Sequence, residues 1–131
     1  DGALRDGEEI VLGRTRVKPL FTPGHTRGCT TFTARLEDRY NVVLAGSVSA
    51  PGYRLVGNNA GYPEIVRDFR SSFARLRALP CDIFLSFHGW DFDLERKLAA
   101  REANPFVDPK GLAAYVDRSR AAFEKLLAAQ R

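Results

Sequence analysis

An α/β layer, a mixed sheet with helices packed on one of its faces, is the fold class this sequence predicts. Three observations predict it. The first third of the chain is built of short β-branched and aromatic segments broken by turn residues. Helical apolar stripes dominate the second half. One more apolar strand, 81–87, lies between the helical stretches, so strands and helices alternate late in the chain.

The elements follow in order. "EIVL" (9–12) is a short apolar strand stopped by Gly13. "TRVKPLF" (15–21) alternates weakly, and Pro19 predicts an edge or a strand end. After the turn "TPGHTRG" (22–28), "CTTFTARL" (29–36) sets Thr31, Thr33 and Arg35 opposite Thr30, Phe32 and Ala34. "EDR" (37–39) is a tight polar turn, and "YNVVLAG" (40–46) reads as a strand buried on both faces. The Gly- and Pro-rich stretch 47–61 is a long loop, of the kind that carries function. A helix is expected from about Pro63, with Ile65, Phe69, Phe73 and Leu76 on one face, until Pro80. Strand 81–87 ends at His88, and a short helix covers Asp93 to Ala103. In the last helix Asp108 is the expected cap and Pro109 occupies the first turn. Leu112, Val116, Phe123 and Leu127 form its stripe.

The composition bounds the function. The 131 residues are at most one domain, and 44% apolar content excludes a disordered chain. No apolar run is long enough to cross a bilayer, and no signal segment opens the chain. The sequence starts without Met, as though cut from something longer. The net charge of +4 comes mostly from basic residues interleaved with acids. The densest run, Arg67 to Arg77, falls on a solvated helix face, so no nucleic-acid partner is expected. Cys29 and Cys81 do not set a redox compartment.

The chain has only two histidines, and both stand at strand mouths. His25 lies between two strands; His88 directly follows one. Gly46 opens the loop carrying Ser47 and Ser49. In sheets of this kind, loops leaving one edge build the site, so these four residues could converge. The residues alone leave His25 and His88 open as metal ligands or as solvated loop histidines, since two imidazoles do not complete a zinc site. Asp91 and Asp93 read better as turn or cap residues than as ligands, and Cys29 as a small buried thiol. "GSVSAPG" is not a nucleophile elbow, and no phosphate-binding glycine fingerprint appears.

Taken together, "TPGHTRGCTTF", "LAGSVSAPGYRLVGN", "FRSSFARLRALPCDIFLSFHG" and "NPFVDPKGLAAYVD" resemble the C-terminal half of a metallo-β-lactamase. The resemblance runs over nearly the whole chain. It is closest to the subclass whose dinuclear zinc site uses histidines and one aspartate. The Pro-Gly-His-Thr-x-Gly motif is shared across the superfamily. Ser47, where many of its hydrolases carry a metal-bridging aspartate, marks the lactamase subclass. The resemblance implies that His25 and His88 are zinc ligands, one for each metal. It implies that Ser47 hydrogen-bonds a metal-held water and that Ser49 holds the substrate carboxylate. The implied activity is hydrolytic opening of a β-lactam by metal-activated water.

It also implies what lies elsewhere. The family's His-x-His-x-Asp-His signature belongs to an N-terminal half that residues 1–131 do not contain. The fragment is therefore expected to be inactive alone and to bind zinc weakly. Its fold is expected to be half of an αββα sandwich. The inner sheet face, with Val42, Leu44, Ile83 and Leu85, would pack on the missing half or on a second copy. Leu112 stands where the family often has the cysteine that pairs with the one matching Cys81, so Cys81 is expected to be free. The family is exported, which implies a periplasmic or secreted setting. The alternatives are a superfamily hydrolase of another ester, lactone or thioester, and a non-catalytic, self-associating half-domain.

Overall fold

A computed structural model of the chain describes residues 2–57 and 59–131. Its frame is a five-stranded sheet in the order β1-β2-β3-β4-β5. β1 (Ile10–Leu12), β2 (Thr15–Phe21), β3 (Thr30–Leu36) and β4 (Tyr40–Ala45) run as an antiparallel meander. β5 (Ile83–Ser86) joins β4 in parallel, so the sheet is mixed. A parallel partner demands a crossover, and helix α1 (Ile65–Arg77) supplies it. A 3-10 turn (Gly89–Phe92), α2 (Leu94–Ala99) and α3 (Gly111–Ala129) complete the chain.

The tight turns have local causes. Gly13, at φ +60, begins the two-residue β1–β2 link, where a hairpin of this length favours glycine. Between β3 and β4, Glu37 and Asp38 both take positive φ, 53° and 51°, as a type I′ turn requires. Arg35 offsets that strain by donating to Asp38 O at 2.8 Å and to Asn41 Oδ1 at 3.1 Å.

One face of the sheet is the core. Val43, Ala45 and Phe84 are fully buried beneath Phe69, Phe73 and Leu76 of α1 and Tyr115, Val116, Phe123 and Leu127 of α3. Phe69 and Phe123 lie 4.8 Å apart, centroid to centroid, where the two helices meet. The register puts Phe32 opposite Leu44, and Val42 and Leu44 opposite Ile83 and Leu85, all on the other face. Among the described residues no helix covers that face, and Phe32, Val42, Leu44 and Leu85 remain half-buried. Ile83 departs from the expectation of a bare residue. Its bridge to Val107 closes it to 7% exposure.

Several boundaries also differ: the strand expected over 81–87 is only Ile83–Ser86. α1 starts at Ile65, with Pro63 in the turn before it. α2 stops at Ala99, because Ala100 is already extended. Asp108 does not cap α3: the helix starts at Gly111 without any side-chain cap bond. The Asp108 carboxylate instead accepts from Lys97 Nζ at 3.2 Å, and only the Asp108 carbonyl meets the Gly111 N–H. A buried ammonium needs a carboxylate more than a helix end needs a cap, since water cannot replace the former. The arginines of α1 are solvated as expected, paired with Asp68, Glu124, Asp6 and Asp117. Among the described residues no helix is long and apolar enough to cross a membrane.

Candidate functional site

The candidate site grows from the sheet edge where β2, β4 and β5 end and β3 begins. Phe21 pairs with Thr30, and Ala45 pairs with Ser86. The 22–29 turn, the loop after Gly46 and the segment after Phe87 therefore leave the sheet along one edge.

The turn is held from both sides. Thr22 N donates to Cys29 O at 2.9 Å and closes it. Thr22 and Thr31 share a buried hydroxyl bond of 3.0 Å, and Thr31 Oγ1 also accepts from Gly46 N at 3.0 Å. Ser72 of α1 donates to Pro23 O at 2.6 Å. Gly46 must be glycine, because a Cβ there would come 2.7 Å from Cys29 Sγ and 2.9 Å from Thr30 O. This close approach is what sets Ser47 beside the turn.

His25 then meets the loop. Its Nδ1 lies 2.7 Å from Ser49 O. A carbonyl only accepts, so Nδ1 carries the proton and the neutral ring keeps its lone pair on Nε2. A metal-ligating histidine commonly has this arrangement, with its other nitrogen donating to a carbonyl. The ring stacks on Tyr53 at 5.6 Å, and Tyr53 Oη donates to His25 O at 3.0 Å. Ser47 Oγ and Ser49 Oγ lie 3.1 Å apart, so His25, Ser47 and Ser49 form one connected group.

His88 stands on the same edge but outside that network. Its exposed ring stacks on Trp90, 4.3 Å away and nearly parallel, and makes no hydrogen bond to His25 or to either serine. Asp91 accepts from Ser86 Oγ at 2.7 Å, and Asp93 takes a left-handed turn conformation before α2. Tyr53 and Trp90, the aromatic partners of the two imidazoles, escaped the sequence reading. Nothing in spacing marks a loop aromatic as a histidine's neighbour. Among the described residues no three His, Cys, Asp or Glu side chains come together as a metal cage.

Both cysteines are free thiols. Cys29 Sγ donates to Ser47 O at 3.3 Å, and burial pushes its pKa up. Burial, then the neighbouring Asp82, pushes Cys81 up to about 11. Iodoacetamide at pH 8 is therefore expected to label the denatured chain quickly and native Cys81 slowly, with the native rate climbing toward pH 11. Equal native and denatured rates, followed by peptide mass mapping, would contradict this burial.

No family model matches the chain. Solved structures do. A Cronobacter sakazakii metallo-β-lactamase described by its HARLDQ motif is 48% identical, at a TM-score of 0.95, over 100% of this chain and 51% of that one. The native metallo-β-lactamase of Legionella gormanii is 43% identical, at 0.90, over 97% of this chain and 51% of that one. A subclass B3 metallo-β-lactamase of Bradyrhizobium japonicum is 32% identical, at 0.91, over 99% and 51%. The chain is half of a metallo-β-lactamase fold. It spans about half the length of the solved structures it matches, which agrees with the single sheet, bearing helices on one face, seen among the described residues.

A metallo-β-lactamase fold implies a metal, typically zinc. The donor type here suits zinc: His25 is held at Nδ1, and among the described residues neither His25 Nε2 nor the His88 ring makes a hydrogen bond. Donor number does not suit a complete site, since zinc takes three or four protein ligands. These residues fit a contribution to a zinc site that other residues complete.

Proposed function

We propose that the chain is the C-terminal half of a zinc-dependent β-lactam hydrolase. The observation that carries this reading is the His25 Nδ1 bond to Ser49 O, which reserves Nε2 for a metal while tying the imidazole to the serine loop. Zinc, when bound, lowers the pKa of water and polarises a carbonyl. The chain's own residues bind and orient. His25 and His88 each offer one imidazole. Ser47 Oγ holds a water, and Ser49 Oγ, 3.1 Å from it, donates to the substrate carboxylate. The half-buried row of Phe32, Val42, Leu44 and Leu85 seats the N-terminal half, and the whole acts in the periplasm or outside the cell.

The completing half decides the metal count. The string HARLDQ of the Cronobacter neighbour does not occur in this sequence. Compared with the His-x-His-x-Asp-His signature, it keeps the first histidine and the aspartate and replaces the other two histidines. A completing half with the signature would supply three imidazoles and a carboxylate; one with HARLDQ, a single imidazole and a carboxylate.

Chromogenic β-lactam turnover with added zinc is the test, run on the chain alone and with an N-terminal half supplied in trans. The expected result is no turnover alone and turnover on complementation. His25→Ala should then cost at least about 100-fold in kcat/KM, as loss of a metal ligand does. No turnover after a complex has formed would sink the lactamase reading, and turnover of a lactone or thioester instead would redirect it. The uncovered sheet face favours a second reading, a self-associating half-domain. A dimer on size exclusion that persists when the other half is added would support it.

A further inference from the structure

We infer that Gln130, at the far end of the chain, is a positioning residue for the His25 imidazole; this rests on the proposed role of His25 as a zinc donor. Gln130 follows the last residue of α3, and its backbone N–H already bonds the helix carbonyls of Leu127 and Ala128. Its side chain has no duty to the helix. It reaches across to the serine loop, where Nε2 donates to Tyr53 O at 2.7 Å and Oε1 accepts from Leu55 N at 2.7 Å. One carboxamide thus satisfies a backbone acceptor and a backbone donor on either side of Arg54, as a neighbouring strand would. Glutamine suits this because its amide end offers both a donor and an acceptor; a carboxylate or an ammonium offers only one kind.

The clamp bears on His25 through Tyr53. The Tyr53 ring stacks on the imidazole at 5.6 Å, and its hydroxyl holds His25 O at 3.0 Å. Tyr53 N closes a turn onto Ala50 O at 3.4 Å, with Gly52 at φ +67, next to the Ser49 carbonyl that fixes Nδ1. Both contacts that orient the ring therefore come from one loop without strand or helix. At its foot Val48 N meets Tyr115 Oη at 3.4 Å. Past the turn, Gln130 pins it.

The two histidines make the test clean. In a ¹⁵N-histidine-labelled chain, a long-range ¹H–¹⁵N spectrum reports each ring's tautomer, and His88 is the internal control. The native chain is expected to show His25 protonated at Nδ1. Gln130→Leu is expected to shift His25 toward the Nε2-protonated form, leaving His88 and the helical ellipticity unchanged. The same variant should weaken the zinc-induced shift at His25 by roughly tenfold in affinity, as removal of outer-shell support does. If Gln130→Leu does not fold, Gln130→Glu carries the test, since it keeps the bond to Leu55 N and loses the one to Tyr53 O. An unchanged His25 in whichever variant folds, or equal shifts at both histidines, overturns the inference. A Gln130-dependent His25 tautomer with no zinc response in the native chain would uphold the clamp and remove only the zinc-donor reading.

Discussion

Gly24→Ala is expected to collapse the turn that carries His25 and to lower stability by about 3 kcal/mol or more, from backbone strain and overpacking together. Gly24 sits at φ +143, a conformation that L side chains rarely adopt. A Cβ there would also stand 2.8 Å from Cγ and Cδ1 of Phe69 and 3.2 Å from its Cα. The ring cannot move aside, because Phe69 is fully buried between Phe73 and Phe123. Nor can the turn lift away without losing the Ser72 bond to Pro23 O. Urea unfolding reads the stability loss, and the His25 imidazole resonances read the displacement. A variant as stable as the native chain, with His25 unmoved, would show that the turn is not wedged against α1.

Lys97→Ala comes next. The Lys97 side chain is fully buried, with Nζ 3.2 Å from Asp108 Oδ2 and 5.8 Å from the Phe92 ring centroid. Truncation removes an apolar stem from the interior and orphans the carboxylate. The expected cost is about 2–3 kcal/mol, at or below the foot of the range for broken buried pairs, because Asp108 is 32% exposed and water can rehydrate it. Lys97→Met keeps most of the volume but also leaves Asp108 without its partner; because water reaches that 32% exposed carboxylate, the cost should stay within about 1 kcal/mol. The two variants separate packing from pairing. Equal and large losses in urea unfolding would assign the effect to the ion pair, and a negligible loss in Lys97→Ala would dismiss the burial. Lys97 ties α2 to the strand-like entry of α3, so Lys97→Ala should also loosen the 89–99 segment and the Trp90 ring on His88.

Strand and helix identities were legible because each rests on a local pattern. The alternation in 29–36 placed Thr31 and Thr33 on one face and Phe32 and Ala34 on the other, as the register has them. The stripe Ile65, Phe69, Phe73, Leu76 is buried whole. Where the reading failed, a distant residue had intervened. Asp108 looked like a cap in its own neighbourhood, but Lys97, eleven positions earlier, claimed its carboxylate. Ile83 looked bare until Val107 bridged it.

The candidate site divides the same way. Sequence by itself determined the glycine-bounded turn of His25, the serine pair two residues apart and the mixed sheet with helices on one face, because turn chemistry, spacing and apolar periodicity are properties of neighbours along the chain; that this layer is half of a larger sandwich was implied only by the family resemblance. Only the tertiary structure decided that Ser49 O holds His25 by Nδ1, that Tyr53 backs its ring, and that Gln130 reaches over 77 positions to hold Tyr53. Such contacts are made between residues that no local pattern relates, and they exist only once the sheet edge and α3 have brought them within hydrogen-bonding distance.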